Sequence, residues 1–235
     1  MKRVLSILAI ACLYSMAIQG AATVTAVALS APALREQIEN YITGNNSQAL
    51  EKMLAEQAKI NSKVLQEAIN APQDERTPLQ TIFYQSEMGN LKNGMELLRI
   101  ILNNGANITF SANAEIPAPL HGLAIDNRNH VEAINVLLRG RQHLVDYPVE
   151  NNSLGSENRG ATPLMLTLDA MLQMTTRDND NNILANARAL LDNGADVTAR
   201  YPDGTTILAR AQEKSPRMYE LLNEYHKAQV AAKKK

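Results

Sequence analysis

The residues best suited to chemistry are few and scattered. No two of the four histidines stand four residues apart, the spacing that places two imidazoles on one helix face for zinc. They are His121, His130, His143 and His226. A serine nucleophile is often carried on a Gly-x-Ser-x-Gly turn, and the sequence contains none. The residue types therefore favour neither a zinc site nor a Ser-His-Asp enzyme, and we expect no catalytic site and no cofactor.

One acidic string has the oxygen ligands that calcium prefers. Asp178-Asn179-Asp180-Asn181-Asn182 alternates carboxylates and amides. An EF-hand loop also needs a glycine and a closing glutamate, where this chain has Ile183 and Ala189. We interpret the string as a polar insertion between two helices. An enzyme that uses residues 151–160 or 175–182 as a catalytic loop is the alternative from a different functional class.

A four-residue pattern recurs along the chain and predicts the starts of helices. Proline suits the first turn of a helix, where an amide donor is not needed, and a preceding threonine can cap the free amides. Each copy is followed by an amphipathic segment that ends in a leucine-rich stretch, so we expect paired helices in each unit. The copies are Thr77-Pro78-Leu79-Gln80, Ala118-Pro119-Leu120-His121, Thr162-Pro163-Leu164-Met165 and Thr206-Ile207-Leu208-Ala209.

Two units also close with a shared glycine turn, Asn104-Gly105-Ala106-Asn107 and Asn193-Gly194-Ala195-Asp196. Together with the tetrads, these turns make residues 75–228 resemble the ankyrin-repeat family. The resemblance implies an all-α ankyrin-repeat solenoid of about four to five helix pairs with projecting loops, called fingers. It also implies that His121 hydrogen-bonds backbone between units, and that the chain binds another protein.

The units are longer than an ankyrin repeat of about 33 residues, since their starts at 77, 118, 162 and 206 are 41 or 44 residues apart. We place the extra residues in enlarged loops, including a long second finger and the insertion at residues 175–182. Residues 34–76 predict a degenerate N-terminal cap repeat. Residues 77–228 hold the repeats, and residues 229–235 form a basic tail.

The N-terminus has the pattern of an export signal. Lys2-Arg3 precedes an apolar stretch, Val4 to Ile18, and then a run of small residues. Cleavage after residue 22, or after residue 28, would suit a signal peptidase. We therefore expect a periplasmic or secreted protein.

The single cysteine, Cys12, lies inside this signal. A cleaved chain would hold no disulfide and no thiolate metal site, which fits a bacterial periplasm better than a disulfide-rich extracellular domain. An uncleaved membrane anchor through residues 4–31 is the alternative, because about 20 apolar residues suffice to span a bilayer.

Composition supports a helical protein without a nucleic-acid partner. Only 4% of the 235 residues are aromatic and tryptophan is absent, while alanine and leucine are plentiful. The net charge of -1 gives no electrostatic reason to bind nucleic acid.

The expected function is therefore protein binding through the fingers and the first helices. The partner is a folded protein of unknown identity, for example an enzyme or toxin that this chain neutralises in the periplasm. A host protein targeted by a secreted effector is the alternative. We expect no membrane contact after cleavage and a monomer when free. Aromatic and charged residues of the fingers are the candidate contacts: Phe110, Asn113, Glu115, Asp146, Tyr147, Glu150, Arg200, Tyr201 and Asp203.

Overall fold

A computed structural model describes most of the chain after the expected signal. The described residues are 28–72, 75–87, 89, 92–109, 116–150, 154–155, 158–173 and 177–232. The expected signal peptide covers residues 1–22, or extends to residue 28 in its longer form, and residues 1–27 lie outside the described ranges, as do the three closing lysines. None of the helices in the described ranges has the length and apolar character needed to cross a membrane.

Eleven α-helices, one 3-10 turn (Gln142–Leu144) and no β-strand form the regular structure of the described residues, which confirms the all-α prediction. The helices are α1 (Ala31–Thr43), α2 (Ser47–Ile60), α3 (Ser62–Asn70), α4 (Pro78–Glu87), α5 (Gly94–Asn103), α6 (Pro119–Ile125), α7 (Val131–Leu138), α8 (Pro163–Gln173), α9 (Arg177–Asp192), α10 (Ile207–Lys214) and α11 (Pro216–Ala232).

The helices pack as successive pairs in two layers. The pairs are α1–α2, α4–α5, α6–α7, α8–α9 and α10–α11. The first helices of the pairs contact one another in chain order, and so do the second helices. Helix α3 stands outside this order and packs on α1, α2 and α4. Each pair can bury its apolar face only against its neighbours, so the core runs continuously between the layers.

The tetrads begin four of the first helices, as their prolines and threonines predict. In the first copy, the backbone N–H of Thr77 donates to Gln80 Oε1 at 3.0 Å, and the Gln80 N–H donates to Thr77 Oγ1 at 3.3 Å. This reciprocal pair satisfies donors that the helix leaves open. In the fourth copy, Thr206 Oγ1 accepts from the Ala209 N–H at 3.1 Å. The third residue of the motif enters the core in the first three copies, where Leu79, Leu120 and Leu164 are at most 3% exposed.

The insertion predicted at residues 175–182 is not a loop where the structure describes it, because residues 177–182 form the first turns of α9. Long-range contacts hold these turns in place. Asn182 Nδ2 donates to Asn127 O at 2.9 Å, and Asp180 lies 3.6 Å from the guanidinium of Arg217. The extra residues of this unit therefore lengthen a helix that contacts the units on both sides.

Candidate functional site

The two glycine turns have the same backbone geometry, although 89 residues separate them. Gly105 and Gly194 adopt φ of +91° and +95°, values that favour glycine. The N–H of Ala106 donates to Ile101 O at 3.2 Å, and the N–H of Ala195 donates to Leu190 O at 3.1 Å. The turns therefore end α5 and α9 in the same way and aim the following fingers from equivalent positions.

The first and third fingers are each braced by a side chain from an earlier part of the stack. Asn70 Oδ1 accepts from the Asn107 N–H at 2.7 Å, and the Asp146 carboxylate accepts from the Asp196 N–H at 3.1 and 3.2 Å. Burial raises the pKa of Asp146, and the N–H of Asp196 partly offsets this. The predicted contact residue Asp146 is thus directed at the neighbouring finger.

His121 connects the second unit's first helix to the finger that follows. Its Nε2 lies 2.7 Å from Tyr147 O. Burial lowers the pKa of His121, so the ring is neutral at neutral pH, and Nε2 must carry the proton because a carbonyl only accepts. The predicted hydrogen bond to backbone is present, but Tyr147 belongs to the same unit as His121, so this bond does not join two units as expected. Gln80 makes the equivalent bond in the first unit, from Nε2 to Pro117 O at 3.2 Å.

Tyr147 and Glu150 lie together on the second finger. A hydrogen bond to Glu150 is the main cause that raises the pKa of Tyr147, and Thr109 of the first finger also bonds this hydroxyl. Tyr147 is partly exposed and Glu150 is exposed. The structure thus brings two predicted contact residues together beside the first finger. The other predicted contacts there, Phe110, Asn113 and Glu115, lie outside the described residues.

Tyr201 lies inside the molecule and not on the finger surface. It is 5% exposed, and its hydroxyl is 3.3 Å from both Met165 O and Asp169 Oδ1. The guanidinium of Arg210 lies over its ring, 3.5 Å from the centroid. Burial raises the pKa of Tyr201. We leave Tyr201 out of the contact surface because its side chain has little area left to offer.

The two charged residues beside Tyr201 are exposed. Arg200 Nη1 donates to Gly204 O at 2.9 Å, and Asp203 accepts from the Thr205 N–H at 2.8 Å. Asp203 also pairs with Arg210 at 2.9 Å. Both side chains close the tight turn of the third finger, yet their exposure leaves them able to contact a partner.

A groove of about 200 Å³ lies between α4 and the segment that leads into α6. Tyr84 on its rim is 41% exposed, one of the few exposed large apolar side chains in the described residues. The guanidinium of Arg76 lies 4.1 Å from the centre of the Tyr84 ring. The lining residues are Arg76, Gln80, Phe83, Tyr84, Ile116, Pro117, Pro119, Gly122 and Leu123.

Sequence reasoning missed this groove. The sequence did hold one indication of it. Leu79 and Ile82 mark the buried face of α4, each 1% exposed, and Tyr84 lies off that face. The other wall comes from Ile116 and Pro117, more than thirty residues further along the chain. No local pattern connects the two walls.

A second groove, of about 460 Å³, runs between α9 and α11 in the layer of second helices. Its arginines already have acidic neighbours. Arg188 lies 3.7 Å from Glu224, and Arg217 lies 3.6 Å from Asp180. We prefer the smaller groove as the candidate site, since it joins apolar walls to an exposed aromatic ring.

Comparison with known proteins finds no matching family model and no matching curated protein. Within the described ranges, no group of three histidine, cysteine, aspartate or glutamate residues could hold a metal ion. The candidate site is therefore described by its geometry alone, as an apolar groove with a stacked arginine and an exposed tyrosine.

Proposed function

We propose that the chain is an exported ankyrin-repeat protein that binds a folded protein partner through its fingers and first helices. The ankyrin assignment is supported by the stacked helix pairs, the tetrads at the helix starts and the matching glycine turns. The binding role is an inference by analogy with that repeat, because a fold does not determine a function.

The observation that carries the proposal is the exposed side chain of Tyr84 beside the groove. The ring is 41% exposed beside a groove and so keeps area that a partner can bury, and such rings are frequent anchors of interfaces. Arg76 stacks on it and has no ion pair among the described residues. Tyrosine and arginine are two of the residue types enriched in the centres of interfaces.

The contact surface that we propose combines this groove with the exposed finger residues. Tyr147 and Glu150 lie on the second finger, and Arg200 and Asp203 on the third. Mixed charge around an apolar centre steers a partner and fixes its orientation. A neutralised enzyme or toxin that resides in the periplasm is the partner class we favour, in line with the export signal expected at the N-terminus.

Affinity capture with the mature chain tests the proposal. The chain is immobilised, exposed to periplasmic extract, and the affinity of the recovered partner is measured by calorimetry. We expect Tyr84→Ala to weaken binding by about 2 kcal/mol, roughly thirtyfold, because a central aromatic anchor contributes about that much to an interface.

Ile60→Ala is the matched control, because Ile60 is 36% exposed but lies on α2 in the layer of second helices. This variant should bind like the parent chain. A partner whose affinity falls with Ile60→Ala and not with Tyr84→Ala would show that the contact surface has been assigned to the wrong face.

A further inference from the structure

Three Asn-Gly dipeptides in the described residues differ in how tightly the fold holds them: Asn93-Gly94, Asn104-Gly105 and Asn193-Gly194. Glycine has no Cβ to hinder its backbone nitrogen, so that nitrogen can approach the side-chain carbonyl of the preceding asparagine closely. The geometry points to Asn93 as a site of spontaneous deamidation, and we propose that the fold protects the other two.

The reaction needs only water and base. A base removes the proton from the Gly94 amide, and the nitrogen forms a bond to Asn93 Cγ. The bond from Cγ to Nδ2 breaks, and Nδ2 leaves as ammonia after it takes up a proton. Water then opens the resulting succinimide at either carbonyl, which gives aspartate or isoaspartate. No electron is gained or lost.

Both reacting groups of Asn93-Gly94 are without partners among the described residues. Asn93 is exposed at the N-cap of α5, and its side chain makes no capping hydrogen bond. Gly94 is the first residue of the helix, where backbone amides have no acceptor within the helix. Two other asparagine N-caps do bond, since Asn46 and Asn61 each accept a backbone N–H at 3.1 Å.

At Asn104-Gly105, both the side-chain amide of the asparagine and the N–H of the glycine make hydrogen bonds. Asn104 Nδ2 donates to Ile100 O at 2.9 Å, and the Gly105 N–H donates to Leu102 O at 3.1 Å. Gln66 Nε2 also donates to Asn104 O at 2.7 Å. Attack would require the leaving group and the nucleophile to give up these bonds together.

Asn193-Gly194 is held in a similar way. Asn193 Nδ2 donates to Ala189 O at 2.8 Å and to Asn135 Oδ1 at 2.7 Å. The Gly194 N–H donates to Leu191 O at 3.0 Å. Ring closure requires rotation about ψ at each site. At Asn93 that rotation releases backbone bonds of the first turn of α5, but no bond of the leaving group or the nucleophile.

Conversion at Asn93 changes the junction between two helix pairs. The Asn93 N–H donates to Asn45 Oδ1 at 3.1 Å, which ties the start of α5 to the turn between α1 and α2. Aspartate adds a negative charge where the helix dipole favours one. Isoaspartate adds a carbon to the backbone between this N–H and the first turn of α5, and so changes how the helix start is joined to Asn45.

Peptide mapping of the full chain tests the proposal. The folded protein is incubated in mildly alkaline buffer, and the three peptides are separated with isoaspartate standards. We expect Asn93 to convert roughly tenfold faster than Asn104 or Asn193, because the bonds that hold the other two must break first. In urea, where these bonds are lost, the three rates should become similar.

Gly94→Ala provides a second readout, with folding verified by circular dichroism, and it should slow conversion at Asn93 alone. The comparison within the parent chain needs no variant and decides the matter if Gly94→Ala fails to fold. Equal rates at the three sites in the folded chain, or faster conversion at Asn104 or Asn193, would overturn the proposal.

Discussion

The fourth residue of each of the first three tetrads links its helix to a group later in the chain. Gln80 and His121 both donate from Nε2 to a later carbonyl, those of Pro117 and Tyr147. In the third copy Met165 cannot donate, and its own carbonyl instead accepts from the hydroxyl of Tyr201. The position therefore accepts glutamine or histidine because both can donate from Nε2, and in the third copy the backbone of Met165 makes the link instead.

His121→Gln tests this equivalence through pH. The folded pKa of His121 lies below its ordinary value of 6.5, so below that pH the unfolded chain binds a proton that the native state does not. Neutral His121 therefore contributes fully to the free energy of unfolding above about pH 6.5, and this contribution is lost as the pH falls. Between about pH 7 and pH 5, the parent chain should therefore lose more unfolding free energy than the variant does.

Urea denaturation across that range measures the difference. At neutral pH the variant should remain within about 1 kcal/mol of the parent chain, because glutamine can keep the bond to Tyr147. His143→Gln, at an exposed position, is the control and should leave the pH profile unchanged. A parent-like slope in His121→Gln would show that His121 is not kept neutral in the native state.

Among the elements, α3 completes the first glycine turn. Its Gln66 and Asn70 donate to the carbonyls of Asn104 and Gly105 at 2.7 and 3.2 Å. A Cβ on Gly105 would lie 2.5 Å from Gln66 Oε1, whereas one on Gly194 would meet nothing within 4 Å. Helix α3 is therefore fitted to a turn whose glycine has no Cβ.

A comparison of Gly105→Ala with Gly194→Ala separates the cost of alanine at positive φ from the cost of the contact between the new Cβ and Gln66. Both place alanine at positive φ, which costs about 1–2 kcal/mol. Gly105→Ala should lose about 1 kcal/mol more, because Gln66 must move and give up its bond to Asn104. The free energy of unfolding in urea measures both. Equal losses would mean that α3 is not fixed to the turn.

The elements also show where sequence reasoning works. The tetrads predicted the starts of α4, α6, α8 and α10 because proline, threonine and leucine act within one turn of helix. The prediction of a loop at residues 175–182 is wrong at residues 177–182, which are helical. Asn127 and Arg217, from distant parts of the chain, contact that part of the helix. The polar residues of this segment are typical of a loop when only the local sequence is considered.

At the scale of the whole molecule, repetition made the packing order predictable and the site harder to predict. Helix pairs that follow one another in sequence also stack in that order. The groove beside Tyr84 depends on how α4 meets the segment before α6, and the burial of Tyr201 depends on Asp169 and Arg210. Finger aromatics were sound candidates by type, but only the assembled stack distinguishes exposed rings from buried ones.

Hydrogen exchange of the chain with and without its captured partner tests the central claim most directly. We expect bound partner to slow exchange in α4, in α6 and at residues 147–150, which carry the groove and the second finger. The layer of second helices should be unaffected, including α9 and α11. Slowing confined to α9 and α11 would contradict the account and move the binding surface to the opposite layer.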